Sequence, residues 1–123
     1  MRVEPHLGGG LFAAPFSTSI AGAVAYREGP GQSSRQLVWF DRSGKALGTA
    51  GEQGGLLSNP SLSRNGRYVV AQRTVQANID LWLLDLQRNV FNRVTANPRV
   101  DGMPVWSPDG ERVVFSSAVD DGN

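Results

Sequence analysis

The chain repeats itself with a step of 44 residues. Ser63 and Ser107 each open a short turn and lie 44 positions apart, and Ser19 lies 44 positions before Ser63. The glycines that close these turns keep the same step: Gly22, Gly66 and Gly110. A step of about 40–50 residues that contains several short strands is typical of a β-propeller blade.

A second marker keeps the same spacing. The segment Leu-Trp-Leu-Leu-Asp at 81–85 has a counterpart in Leu-Val-Trp-Phe-Asp at 37–41, again 44 positions earlier. Short apolar runs lie between the markers at 24–26, 68–71 and 113–115. Because three features share one register, the repeat indicates a structural unit.

Each unit is predicted to contain four short strands. In the second unit we expect strand a at 60–63, strand b at 68–73, strand c at 79–86 and strand d at 90–95. The a–b turn follows from local chemistry, because a serine hydroxyl bonds the turn backbone, Pro presets φ, Asp or Asn tolerates the third position and Gly supplies the fourth. Seven residues are assigned to this structural turn motif: Ser63, Asn65, Gly66, Ser107, Pro108, Asp109 and Gly110. The segment at 19–22 lacks the Pro-Asp core, so the first unit departs from the motif at this turn.

The apolar strands decide the architecture. In Leu-Trp-Leu-Leu at 81–84 no alternate residue is polar, so both faces of the sheet must be covered. Neighbouring blades supply that cover, and no stretch shows helical periodicity. We therefore predict an all-β fold of antiparallel four-stranded β-propeller blades, two full and one partial, from a propeller of roughly six to eight blades. The predicted divisions are a lead or outer strand of a preceding blade at 1–15, blade repeats at 16–51 and 60–95, and a partial repeat at 104–123.

Fewer than three whole blades cannot close a propeller, which needs roughly four to eight. Each open end would leave large apolar side chains uncovered, at about 1.5–3 kcal/mol per side chain. We expect either a larger propeller of which this chain is one part, or self-association through the open blade faces.

Two motifs resemble a known family. The stretch Pro-Val-Trp-Ser-Pro-Asp-Gly at 104–110, followed by Arg-Val-Val-Phe-Ser-Ser at 112–117, resembles the repeat of TolB-type propellers, and Asp-Leu-Trp-Leu-Leu-Asp-Leu at 80–86 is similar to that family's third strand. The segment at 36–45 looks like the propeller that follows the kinase domain in many bacterial serine/threonine protein kinases. The resemblance implies a WD-like repeat protein and an extracytoplasmic or periplasmic setting. Such repeats also occur in prolyl-oligopeptidase-type peptidases, so the fold leaves the function open.

The composition argues against several kinds of protein and partner. With 40% hydrophobic and 19% charged residues the chain is that of a folded protein, and its net charge of +1 predicts no nucleic-acid partner. There are no cysteines, which removes disulfides and thiolate sites. No run approaches the roughly 18 apolar residues of a membrane span, so no membrane insertion is expected in this segment. Residues 1–6 lack the pattern of a secretory signal.

No catalytic pattern is complete. His6 is the only histidine, and no Gly-x-Ser-x-Gly elbow, kinase loop or P-loop is present. The acidic segments at 101–102 and 120–123 lack the ligand spacing of a calcium loop. The tryptophans lie in apolar strands and are expected in the core. We therefore expect neither enzyme activity, nor a cofactor, nor a metal.

A binding surface is the remaining expectation. The b–c and d–a loops of a propeller open on one face, and loops on a rigid scaffold usually carry binding. Five residues are predicted on this face: Arg35, Gln76, Asn78, Arg99 and Asp101. Substituting Arg99 and Asp101 together is expected to weaken binding of a protein, peptide or ligand without lowering the melting temperature. The alternative is an accessory sensor or gating part of a larger enzyme, a bacterial serine/threonine kinase or a prolyl-oligopeptidase-type peptidase.

Overall fold

The computed structural model describes residues 16–19, 22–28, 35–52 and 55–119. These residues form ten strands and no helix. In chain order the strands are β1 (Phe16–Ser19), β2 (Gly22–Glu28), β3 (Arg35–Phe40), β4 (Ala46–Ala50), β5 (Leu56–Leu62), β6 (Tyr68–Val75), β7 (Asn78–Asp85), β8 (Val90–Arg93), β9 (Asp101–Trp106) and β10 (Val113–Ser117). The predicted lead at 1–15, with His6, lies outside the described residues.

The strands form three antiparallel sheets. One sheet has the order β1-β2-β3-β4, the second has the order β5-β6-β7-β8, and β9 pairs with β10 in the third. Within each sheet, every strand therefore pairs with its neighbours along the chain, as in a propeller blade. The prediction of two full four-stranded blades and one partial blade is confirmed.

In the second sheet, one strand begins earlier than predicted. Strand a was expected to begin at Pro60, but β5 begins at Leu56. The reason is an irregularity in the β5–β6 register between Ser58 and Ser61, where Asn59 has a φ of 48°. A bulge interrupts the alternation of side chains, so the residues before it do not show the strand pattern.

The a–b turn of the second sheet shows why the motif works. The hydroxyl of Ser63 donates to Asn65 Oδ1 at 2.8 Å and accepts from the Tyr68 amide at 2.9 Å. The same Asn65 oxygen accepts from the Arg67 amide at 3.0 Å. Gly66 has a φ of 72°, where a side chain would be strained. Ser63 is buried, and its hydroxyl gives the Tyr68 amide the hydrogen-bond partner that a buried amide needs.

The equivalent turn 44 residues later repeats these bonds. The Ser107 hydroxyl donates to Asp109 Oδ1 and accepts from the Arg112 amide at 3.0 Å. Asp109 also accepts from the Glu111 amide at 3.0 Å, and Gly110 has a φ of 75°. The Ser107 hydroxyl, first, and then the Glu111 amide hold the pKa of Asp109 below its ordinary value. The two turns therefore share the same set of hydrogen bonds.

The turns between strands c and d also repeat. Asp41 Oδ1 accepts from the Ser43 amide at 2.8 Å and from the Lys45 amide at 3.0 Å. Asp85, 44 residues later, accepts from the Gln87 amide at 3.0 Å. The Ser43 hydroxyl is the main reason that the pKa of Asp41 is lowered. The aspartate that ends strand c in each unit therefore organises the following turn.

Successive sheets stack through one repeated contact. The Leu62 amide donates to the Ser17 hydroxyl oxygen at 2.8 Å, and the Trp106 amide donates to the Ser61 hydroxyl oxygen at 3.4 Å. The donor and the acceptor of the second contact each lie 44 positions after those of the first. The Trp106 indole adds a bond to the Ser61 carbonyl at 2.9 Å. The first and second sheets thus meet as the second and third do.

The core lies mainly between the first two sheets. Its buried members are Val24, Leu37, Ala50, Leu57, Leu62, Val69, Ala71 and Leu84. Trp39 and Phe91 pack against it and are partly buried. Trp39 thus packs against the core, whereas Trp82 and Trp106, also expected in the core, are half-buried and outside this cluster.

Gly51 sits where the first sheet meets the second. It has a φ of 74°, and its amide donates to Asn89 Oδ1 at 2.7 Å. A Cβ at this position would lie 2.5 Å from the Phe91 ring and 3.2 Å from Leu84 Cδ2. Only glycine fits this junction without displacing Phe91.

Gln72 joins the second sheet to the third. Its Oε1 accepts from the Met103 amide at 3.0 Å and from the Asn59 side chain. A Cβ on Gly102 would lie 2.8 Å from the Gln72 amide group. Met103, with a φ of 56°, stands 44 residues after Asn59, so the bulge in strand a also repeats.

Candidate functional site

The upper end of the sheets is the end at which the β6–β7 hairpin, the β8–β9 linker and the end of β10 lie. In the second and third sheets it comprises residues 76–80, 94–101 and 116–119. The a–b turns occupy the opposite, lower end. The upper end carries most of the residues predicted to bind, and it also contains a hydrogen-bonded polar cluster.

Asn97 is the centre of this cluster. Its side-chain amide donates to Asp101 Oδ2 at 2.8 Å, and its Oδ1 accepts from the Arg99 amide at 2.9 Å. Its backbone carbonyl accepts from Asn78 Nδ2 at 3.2 Å. One residue of the β8–β9 linker therefore fixes the start of β7, the start of β9 and the linker itself.

Asp101 is a fully buried carboxylate, with 0% of its surface exposed. Hydrogen bonding from the Ser117 hydroxyl, and then from Thr95 and Asn97, lowers its pKa although burial acts to raise it. Asp101 Oδ1 has no well-formed hydrogen bond within the described residues. The carboxylate is therefore charged at neutral pH and held by neutral donors.

Asp80 is the second buried carboxylate of the upper end. It forms an ion pair with Arg93 and accepts from Asn78 Nδ2 at 2.8 Å. The Thr95 hydroxyl lies 3.4 Å from Asp80 Oδ1 and accepts from the Leu81 amide at 3.0 Å. Because a buried charge requires partners, these contacts stabilise the strand ends around Asp80.

The tip of the β6–β7 hairpin has an unusual backbone. Val75 pairs with Asn78, so Gln76 and Ala77 alone form the loop. Their φ values are 49° and 65°, and both residues are exposed. This is the φ pattern of a type I′ turn, which ordinarily selects Asn or Gly. Side chains other than Asn, Asp or Gly cost about 1–2 kcal/mol each in this region, so the tip is strained.

Four of the five predicted binding residues lie at the upper end: Gln76, Asn78, Arg99 and Asp101. Gln76 is exposed, while Asn78 and Arg99 are half-buried. Asp101 is the first residue of β9, not an exposed loop residue, and its carboxylate bonds inside the protein. Its substitution is therefore expected to lower the melting temperature, so the double variant should lose stability as well as binding.

Arg35 lies at the same end of the first sheet, outside the Asn97 cluster. It is the first residue of β3, and its amide donates to the Gly55 carbonyl at 3.2 Å. Its Nη1 donates to the Leu57 carbonyl at 3.2 Å. Arg35 thus joins the first sheet to β5 and is not brought into the Asn97 cluster.

Sequence reasoning missed three members of the cluster: Asp80, Thr95 and Asn97. A charged residue at the start of an otherwise apolar strand c was a usable signal for Asp80, because such a charge needs a partner. Thr95 and Asn97 gave no signal, since polar residues are ordinary in a linker.

Comparisons with known proteins bear on the architecture. No protein-family model matches the chain, and no curated protein matches it. A solved structure assigned to TolB of Agrobacterium tumefaciens superposes with a TM-score of 0.66 over 85% of this chain, with 22% sequence identity. The fold is that of a TolB-like β-propeller. The chain spans 38% of the length of that TolB structure, and a likeness at this identity concerns the fold alone.

The TolB-like segment offers little for metal chemistry in its described residues. There, no group of three His, Cys, Asp or Glu side chains is placed to hold a metal ion. The acidic segment at 120–123 lies outside them. No helix long enough and apolar enough to cross a membrane occurs in the described part of the chain.

Proposed function

We propose that this chain is a non-catalytic binding segment of a TolB-like propeller, and that its upper end recognises a protein or peptide. The observation that carries the proposal is the strained β6–β7 tip, at Gln76 and Ala77. The two-residue turn requires positive φ at both positions, and the chain places there two residues that are strained by it; strained positions are enriched at functional sites. The hydrogen bonds of the Asn97 cluster restrain the base of the tip, and restraint before binding lowers the entropy lost on binding.

The chemistry of this surface favours a polar partner. Gln76 offers an exposed amide group and Arg99 a half-buried guanidinium, which suit peptide carbonyls and carboxylates. The alternative, an accessory sensor or gating part of a kinase or peptidase, would use the same surface and draws no separate support from the described residues. The extracytoplasmic or periplasmic setting that the sequence resemblance implies is part of the same proposal.

A peptide array tests the proposal. The labelled chain is applied to a random array of 12-residue peptides, together with two variants. One variant changes the upper end (Gln76→Ala with Arg99→Ala), and a matched variant changes the lower end (Arg64→Ala with Glu111→Ala). All three are first compared by thermal unfolding.

We expect a set of peptides that bind the native chain and the lower-end variant but lose at least about tenfold in affinity, or about 1.4 kcal/mol, for the upper-end variant. Peptides that bind all three chains equally would place recognition elsewhere. An array on which no peptide binds the native chain would reject peptide recognition.

A further inference from the structure

The guanidinium of Arg73 in β6 has no acceptor in the described part of the chain. Arg73 stands two residues after Ala71, so its side chain lies on the face of β6 that packs toward the first sheet. The residue is half-buried, and its Nε is buried without a hydrogen bond. Buried donors without an acceptor are destabilising and rare in folded proteins, so this one requires an explanation.

Two neighbouring arginines do have carboxylate partners. Arg67 lies 3.9 Å from Asp85, and Arg93 forms an ion pair with Asp80. Asp80 lies opposite Arg73 in the register of β6 and β7, but its carboxylate is taken by Arg93. Within the described residues, the chain thus supplies a carboxylate to Arg67 and to Arg93 but none to Arg73.

Two aromatic rings hold the Arg73 guanidinium in place. Its Cζ lies 4.8 Å from the centre of the Trp82 ring and 5.1 Å from that of the Phe91 ring. The ring faces stabilise the positive charge, but they do not replace acceptors for its N–H groups. A Cβ on Gly55 would lie 3.1 Å from Arg73 Nε, so the glycine leaves room beside the guanidinium. Because the guanidinium is already oriented, binding to it costs little side-chain entropy.

A second donor of the same contact group also lacks an acceptor. The indole Nε1 of Trp82 is buried without a hydrogen bond, and it belongs to the ring that Arg73 contacts. The indole of Trp106, in contrast, donates to the Ser61 carbonyl at 2.9 Å. Two donors without an acceptor, one of them positively charged, indicate a site for a negatively charged acceptor.

We propose that Arg73 is the centre of a carboxylate-binding site between the first and second sheets, where Trp82 and Phe91 hold its guanidinium. A guanidinium binds a planar carboxylate through two parallel hydrogen bonds. The carboxylate belongs to an acidic side chain of a polypeptide or to a free small acid. The site does not include the β6–β7 tip, so its failure in an experiment would leave the upper-end proposal untouched.

Nuclear magnetic resonance of the whole chain provides the test. The probes are acetate, the peptide acetyl-Gly-Asp-Gly-amide and its neutral counterpart acetyl-Gly-Asn-Gly-amide. The Nε–H resonance of Arg73 and the Nε1–H resonance of Trp82 are assigned with Arg73→Lys and Trp82→Phe. We expect the aspartate peptide to shift both resonances and to slow exchange of the Arg73 Nε–H with water, with a dissociation constant of about 1–10 mM.

The neutral peptide should bind at least about tenfold more weakly, because it lacks the charge. The Trp106 indole resonance should not move, since this donor already has an acceptor. Tighter binding of the aspartate peptide than of acetate would indicate an acidic polypeptide as the ligand, and equal binding would indicate a free acid.

Matched variants define the role of the guanidinium. Arg73→Gln should weaken binding of the aspartate peptide at least about tenfold. Arg73→Lys keeps the charge but loses the planar pair of donors, so it should weaken binding about three- to tenfold. Arg64→Gln removes an exposed arginine of the a–b turn and should leave binding unchanged. Thermal unfolding checks that each variant is folded, and the comparison of the charged and neutral peptides on the native chain needs no variant.

Three results would overturn the proposal. The first is equal binding of the aspartate and asparagine peptides, or no shift of the Arg73 resonance at about 100 mM of either carboxylate probe. The second is an Arg73 Nε–H that exchanges slowly in the chain alone, because an acceptor of the chain itself would then hold the guanidinium. The third is tighter binding of inorganic phosphate than of both carboxylate probes, which would contradict the choice of ligand.

Discussion

Replacing Gly51 by alanine measures how tightly the first two sheets are joined. Gly51 and Gly110 have nearly the same φ, 74° and 75°. Alanine at either position therefore pays the same cost of the left-handed region, about 1–2 kcal/mol. A Cβ on Gly110 meets nothing within 4 Å, whereas a Cβ on Gly51 lies 2.5 Å from the Phe91 ring. Gly110→Ala is thus a control for everything except the steric clash.

The clash adds the cost of overpacking, about 1–3 kcal/mol. We expect Gly51→Ala to lower the free energy of unfolding by about 2–5 kcal/mol and Gly110→Ala by about 1–2 kcal/mol. With an m-value near 1.5 kcal/mol/M, the midpoints of urea unfolding should differ by about 1–2 M. Tryptophan fluorescence and circular dichroism follow the transition.

A double variant shows whether Phe91 is the cause. Phe91→Leu alone should cost about 1 kcal/mol, but in the Gly51→Ala chain it should recover part of the lost free energy because it removes the ring that the new methyl group meets. Equal loss of stability in Gly51→Ala and Gly110→Ala, or no recovery in the double variant, would refute the proposed steric contact.

Three further changes have defined outcomes. Ser63→Ala should cost about 1–3 kcal/mol, because it leaves a buried amide unpaired, and Ser107→Ala in the exposed equivalent turn should cost less than half as much in urea unfolding. Because the pKa of Asp101 is lowered in the folded state, its carboxylate stabilises the fold above about pH 4, and this stabilisation is lost as the pH falls through the folded-state pKa. Asp101→Asn should therefore be less stable than the native chain at pH 7 but lose less free energy of unfolding between pH 5 and pH 2.5. An equal loss of free energy in the two chains over that pH range would contradict this. Ala77→Gly should raise the melting temperature, since relief of about 1–2 kcal/mol of strain exceeds the added entropy of the unfolded chain; a lower melting temperature would show that the tip is not strained.

Local chemistry explains what the sequence could predict. The turns at Ser63 and Ser107 are built from neighbours within five residues, so the motif alone indicated both their position and their bonds. The apolar run at 81–84 likewise indicated a covered strand c. The predicted start of β5 was wrong because Asn59 adopts a left-handed conformation that the neighbouring residues do not indicate.

The upper end shows why the rest could not be predicted. The burial of Asp101 depends on the Asn97 side chain from a linker and on Ser117 from the end of another strand. These groups are 4 and 16 positions away and do not recur with the 44-residue step. A carboxylate beside a glycine indicated an exposed turn, and only the three-dimensional arrangement places it inside the protein.

The bond between stacked sheets has a consequence for how further units could be added. Ser17 and Ser61 each accept an amide proton from the sheet that follows, but the next position in the series is Val105. Any sheet laid over the third one would find two methyl groups where its predecessors found an oxygen. A further sheet stacked in the same way would therefore need a different acceptor for this bond, and Val105→Ser is the one-residue change that would restore the hydroxyl.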